Sequence, residues 1–172
     1  MNSPEILLGI VVSVSPVRDA DVNVRLLTPE GLRTVTAIGA RKANAKLKGA
    51  VQLFTIAEFS VIGHKITGAH VLHANHSITK DIKRYYLACA ICEVISQCQG
   101  AGFELTTQAL AKLGGVKTPD TDVSPPSVKG VFTEYFTNLL IELGFGVEPD
   151  VDLNTAYARY LDIQIPNTRL FL

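Results

Sequence analysis

The spacing of apolar residues changes once along this chain, and the change falls at Ser77. Before it, apolar and β-branched residues come in five short runs separated by turn residues, the pattern of antiparallel strands. After it they recur at intervals nearer 3.6, the pattern of helices that bury one face. Strands in one block and helices in the next predict an α+β chain. With 172 residues, 47% of them apolar, the chain can bury a core as one domain or two small ones.

The first run, Glu5–Val17, alternates from Ile10 to Val14 and ends near Pro16. Arg18-Asp19-Ala20-Asp21 is a polar turn. Val22–Thr28 is a second strand with Val22, Val24 and Leu26 on one face, and Pro29-Glu30-Gly31 turns the chain. Leu32–Ile38, Leu53–Ile62 and Lys65–Ala74 follow, the last two joined by Gly63-His64. Five such strands fit a small closed barrel of OB-fold type, which sets an expected barrel domain at 1–78. An all-helical domain is expected over 79–172. Ser77 or Thr79 caps a helix to about Gly100. Phe103–Leu113 and Val128–Leu143 follow, each stopped by glycine, with a polar loop at Thr118–Pro126 between them. A short helix, about Asp152–Leu161, comes last.

Between the third and fourth strands lies Gly39-Ala40-Arg41-Lys42-Ala43-Asn44-Ala45-Lys46-Leu47-Lys48-Gly49. Arg41, Lys42, Lys46 and Lys48 fall within eight residues. Such a cluster neutralises phosphate without regard to sequence and weakens with salt. The other reading of these residue types is a solvated hairpin tip or an edge strand blunted by lysine. Arg18, Arg25, Arg33 and Lys65 extend the patch if the strand register lets them converge. Single-strand binders also stack bases on aromatic rings. The barrel offers only Phe54 and Phe59, both in strand patterns that predict core positions. Charge is therefore expected to carry binding, as sequence-tolerant contact with backbone phosphate, single- or double-stranded. Formal net charge is zero, but residues 1–84 hold 11 Lys and Arg against 6 Asp and Glu, and residues 85–172 hold 5 against 10. A basic half and an acidic half point to separate surfaces for separate partners.

Little else carries chemistry. Cys89 and Cys92 are spaced like half a zinc site, with Cys98, His70, His73 and His76 near in sequence, but they lie in a helix with apolar neighbours and no second ligand pair. They read as small buried hydrophobes, and no metal or other cofactor is expected. Three cysteines argue against a disulfide framework. Asp19 with Asp21 and Asp120 with Asp122 read as turn-forming acids. No nucleophile elbow, P-loop or His-Glu-x-x-His motif occurs, so no enzyme is expected. Ile6–Val14 lacks the basic flank of a signal peptide, and Tyr85–Ile95 is too short to span a bilayer. A reducing cytoplasm and no membrane partner are the expectation.

Several motifs in order resemble the bacterial recombination-mediator family RecO. Gly9–Val14, then Asp21 and Val22-x-Val24-x-Leu26-Leu27-Thr28-Pro29-Glu30-Gly31, are similar to that family's opening hairpin. Gly39-Ala40-Arg41-Lys42 and Lys46-Leu47-Lys48-Gly49 resemble its basic hairpin, continuing into Leu47–Phe54 with Leu53 where proline is usual. The paired tyrosines Tyr85 and Tyr86, the Phe132–Phe145 segment ending Leu-Gly-Phe, and Asn167-Thr168-Arg169-Leu170 resemble later family segments. The family's four-cysteine zinc module is missing, because Glu148-Pro149-Asp150 leads straight to the last helix, so this reads as a short, metal-free form. The resemblance implies a non-catalytic mediator of DNA repair in the bacterial cytoplasm, associated with the nucleoid. It implies binding of single- and double-stranded DNA, strand annealing, and help in loading RecA with RecR and single-strand-binding protein. It leaves two other readings open: a protein-interaction module with vestigial DNA binding, and a small RNA-binding OB protein.

Overall fold

The computed structural model describes residues 3–115, 127–147 and 151–165. The Thr118–Pro126 loop, the Glu148-Pro149-Asp150 link and the Asn167–Leu170 tail expected from sequence lie outside them. The chain forms two compact units, Met1–Ala74 and Asn75–Leu172.

The first unit is a five-stranded closed barrel: β1 (Glu5–Pro16), β2 (Val22–Thr28), β3 (Gly31–Ala37), β4 (Ile56–Ile62) and β5 (Lys65–His73). Its order round the barrel is β1-β2-β3-β5-β4. Neighbours run antiparallel except β3 and β5, which meet in parallel at Thr36 and Lys65. This is the OB-fold. β1 is long because it serves two partners: β4 over Glu5–Ile10 and β2 over Ile10–Pro16. A bulge between Val11 and Ser13 bends it from one to the other. Alternate residues point inward, so Leu7, Val11, Val24, Leu26, Val35, Phe59 and Val61 share one buried cluster.

β4 begins at Ile56, later than the expected Leu53. Phe54 stands at φ 67°, a left-handed conformation no strand can hold. It is nonetheless buried, and its N–H donates to the Val11 carbonyl at 2.9 Å, while Val11 N–H donates to the Thr55 carbonyl at 2.9 Å. The antiparallel pairings set two ends on the barrel. The β1–β2 turn and residues 38–55 share one end and the β2–β3 turn lies at the other, while the β4–β5 turn meets the outgoing end of β3, where the Thr36 N–H donates to the His64 carbonyl at 2.7 Å.

The second unit holds α1 (Ile82–Gln97), α2 (Phe103–Leu113), α3 (Val128–Glu142) and α4 (Leu153–Leu161), after a 3-10 turn at Ile78–Lys80. Neither Ser77 nor Thr79 caps α1. Their hydroxyls donate to the Gly114 and His76 carbonyls at 2.6 and 2.8 Å. Asp81 is the cap, its carboxylate accepting from the Arg84 N–H at 3.0 Å. Aromatic rings fill the core. Phe136 meets Tyr157 edge-on at 5.5 Å, and the Tyr157 hydroxyl donates to the Phe136 carbonyl at 3.0 Å. The hydroxyls of Thr106 and Tyr135 pair at 3.0 Å. Among the described residues no helix is long and apolar enough to cross a membrane.

Candidate nucleic-acid interface

Residues 38–55 form no hairpin and no ladder. They are a run of tight turns, closed by the Lys42 N–H on Gly39, Ala45 on Lys42, Lys48 on Ala45 and Val51 on Leu47, all at 3.1 Å. Small and apolar residues come every few positions and turn inward. Ala40, Ala50 and Val51 join the buried barrel cluster, and Leu47 and Leu53 pack against it. Between these anchors Arg41, Lys42, Lys46 and Lys48 are left exposed. The segment is a stopper in the barrel mouth whose outer side carries the cations. Their backbone is fixed by the core, so ordering it costs less on contact with a ligand.

The β1–β2 turn holds the start of this stopper. Asp21 closes its own turn, its carbonyl accepting from the Val17 N–H at 3.1 Å. Its carboxylate oxygen Oδ1 accepts from the Gly39 N–H at 2.8 Å. The Arg41 N–H donates to the Ala20 carbonyl at 3.0 Å, and Arg41 Nη1 reaches the Arg18 carbonyl at 3.5 Å. Arg18 and Arg41 are thereby brought together from 23 positions apart in sequence.

Beside this junction opens a groove of about 460 Å³. Val14, Val22, Val51 and Leu53 give it an apolar floor, and Arg41, Lys48 and Gln52 line it with polar groups. The Gln52 side-chain amide donates to the Lys48 carbonyl at 2.7 Å. Val17 and Ile38, on the loops of the same end, are exposed by 49% and 55%. The arrangement offers fixed positive charge beside an apolar surface, able to meet phosphate and a flat or aliphatic group together. It offers no stacking ring: Phe54 and Phe59, the barrel's two aromatics, are both buried.

The remaining sequence candidates lie elsewhere. Arg33 sits two residues into β3, near the far end, and pairs with Glu5 at 3.3 Å. Lys65 opens β5, exposed, beside Thr36 near the outgoing end of β3. Arg25 is exposed in mid β2. Arg18, Arg41 and Lys48 thus stand with Lys42 and Lys46 at one end of the barrel, while Arg33 is held away beside Glu5. Asp21 and Gln52 were not among the sequence candidates. Asp21 contacts a glycine 18 positions away, and no local signal announces that.

The cysteines of the second unit are not poised for chemistry. Burial pushes the thiols of Cys89, Cys92 and Cys98 above their ordinary 9.0, which keeps them protonated and unreactive at neutral pH. Among the described residues no group of three His, Cys, Asp or Glu side chains could hold a metal ion.

Comparison with known proteins follows the same outline. Residues 6–73, nearly the whole barrel, match the family described as Recombination protein O N terminal. Over 147 residues the chain is 28% identical to the DNA repair protein RecO of Leuconostoc mesenteroides, covering 81% of this chain and 56% of that relative. Over the same length it is 27% identical to the DNA repair protein RecO of Leuconostoc citreum, covering 81% and 54%. The chain spans about half the length of the curated relatives it matches. With a five-stranded barrel of the OB type and the Gly-Ala-Arg-Lys segment between its third and fourth strands, the first unit is similar to the N-terminal domain of the RecO family over residues 6–73.

Proposed function

We propose that this chain is a DNA-binding recombination mediator in DNA repair, acting in the bacterial cytoplasm at the nucleoid without catalysing a reaction. The observation that carries the reading is the barrel mouth, where Arg41 and Lys48 line one groove and Arg18, Lys42 and Lys46 stand exposed on the same loops. Cations held on a fixed backbone neutralise successive phosphates. With both barrel aromatics buried, binding rests on the phosphate backbone and tolerates any sequence, single- or double-stranded. That is what a protein annealing complementary strands requires. Residues 1–78 serve as the DNA-binding domain and 79–172 as the surface for RecR and single-strand-binding protein, in support of RecA loading. The two relatives, each named a DNA repair protein, support the same process.

The test is a salt titration with labelled single-stranded DNA, duplex DNA and RNA. Replacing Arg41, Lys42, Lys46 and Lys48 together by alanine should weaken DNA binding uniformly across sequences and flatten the salt slope by up to about 4 units. Unchanged affinity and slope would overturn the reading. A clear preference for RNA would favour a small RNA-binding protein instead. Capture of purified RecR or single-strand-binding protein by the full chain tests the second domain.

A further inference from the structure

The cations of the barrel mouth are surrounded by a puzzle of sign. A carboxylate sits among them, where it should repel the phosphate they attract. Asp21 cannot be a counter-ion alone, because its Oδ1 is spent on a backbone N–H, that of Gly39, at 2.8 Å. Gly39 adopts φ +68°, a conformation that turns the chain sharply out of β3 and aims the next residues back over the mouth. Two residues on, the Arg41 N–H is taken by the neighbouring Ala20 carbonyl at 3.0 Å, and its guanidinium reaches the Arg18 carbonyl. Arg41 then lines the groove with Lys48.

We infer that Asp21 is a positioning residue for DNA binding: by accepting from Gly39 it holds the base of the cationic stopper against the β1–β2 turn and sets Arg41 over the groove. This rests on the DNA-binding reading above. The latch accepts one small electrostatic penalty, a negative charge near phosphate, in return for a pre-formed site. Without it residues 39–42 would have to be ordered at each binding event, at the cost of affinity.

Two substitutions separate the latch from the charge. Asp21→Asn and Asp21→Ala remove the same charge, but only asparagine keeps an oxygen that can accept from the Gly39 N–H. If Asp21 acted only as a misplaced negative charge, both variants would bind a fluorescein-labelled oligo-dT more tightly, and equally. The latch requires them to diverge. D21N should bind at or above the wild-type level, while D21A should bind about fivefold more weakly than D21N, the effect of losing about one hydrogen bond's worth of preorganisation. In an Arg41→Ala background that difference should shrink, because the residue being positioned is gone. Equal affinities for D21A and D21N would overturn the inference while leaving DNA binding intact. Absence of binding by the wild type would overturn it together with the functional reading.

Hydrogen exchange gives a measurement free of DNA and of the alanine variant. The Gly39 and Arg41 amides should be protected in the wild type and in D21N to a degree comparable with the strand amides of β2 and β3. Rapid exchange of the Gly39 amide in the wild type would overturn the latch even if D21A failed to fold.

Discussion

At Gly39 a substitution would meet strain rather than a clash. A Cβ built there finds nothing nearer than the Lys42 Cδ at 3.7 Å, but φ is +68°. At Gly102, before α2, φ is +79° and a Cβ would also sit 2.9 Å from the Leu139 Cδ1, whose side chain is fully buried and cannot retreat. L-residues lose roughly 1–2 kcal/mol in this backbone region, and overpacking adds roughly 1–3 kcal/mol more. G39A should therefore lower stability by about 1 kcal/mol, and G102A by distinctly more, read as shifts in the urea midpoint at unchanged slope. Equal shifts would show that the contact with Leu139 relaxes freely. At this scale the sequence was only half legible. The residue types of Gly39-Ala40-Arg41-Lys42 announce a turn with cations. That Ala40 is a core residue and Arg41 a groove residue depends on which way each Cβ points once the turn is closed.

Elements were more legible than their ends. All five strands and all four helices occur where periodicity placed them, because burial on one face is written into spacing. The ends depended on competition among polar side chains. Ser77, Thr79 and Asp81 could each cap α1. The Ser77 hydroxyl is taken by the Gly114 carbonyl, 37 positions away, which leaves Asp81. Replacing Asp81 by alanine should cost about 1 kcal/mol and fray the first turn of α1, seen as lost helical circular dichroism and a lower melting temperature. Ser77→Ala should leave the helical signal unchanged, since its hydroxyl holds a loop rather than the helix start. As a run of cations between two strands, the basic segment also fits a solvated hairpin tip. Ala40, Ala50 and Val51 instead draw it into the core, and the buried apolar surface outweighs the ladder that a hairpin would have formed.

Across the whole molecule the charge contrast depends on where the chain divides. Residues 1–74 hold eight Lys and Arg against five acids, and residues 75–172 hold eight against eleven. The contrast is milder than a cut at residue 84 makes it, because Lys80, Lys83 and Arg84 belong to the helical unit. That unit also sets the alkaline limit of stability. Burial pushes the hydroxyls of Tyr135 and Tyr157 above the ordinary 10.0 and the Cys92 thiol above the ordinary 9.0. All three are neutral when folded and ionise first in the unfolded chain. Their contribution is therefore complete below pH 9 and is lost as pH rises, from about 9 for Cys92 and about 10 for the tyrosines, each by up to about 1.4 kcal/mol per pH unit. Urea unfolding of the helical unit should hold steady from pH 7 to 8.5 and fall steeply above pH 10. The Tyr135→Phe variant should fall less steeply, though it starts lower, since Thr106 loses its hydroxyl partner.

Spacing alone determined that strands precede helices, that five runs could close a barrel, and that four cations would be exposed between the third and fourth. These are local properties: a residue's period and polarity decide which side of an element it occupies before any partner is known. Which cations share a surface was decided only by tertiary structure. Arg33 and Arg41 look alike in sequence, yet strand direction sends one toward the far end of the barrel, beside Glu5, and the other to the mouth, against the carbonyl of Arg18. Asp21 makes the same point from the other side. Its role arises from a hydrogen bond to Gly39, and a bond between residues so distant exists only after the barrel has brought the two turns together.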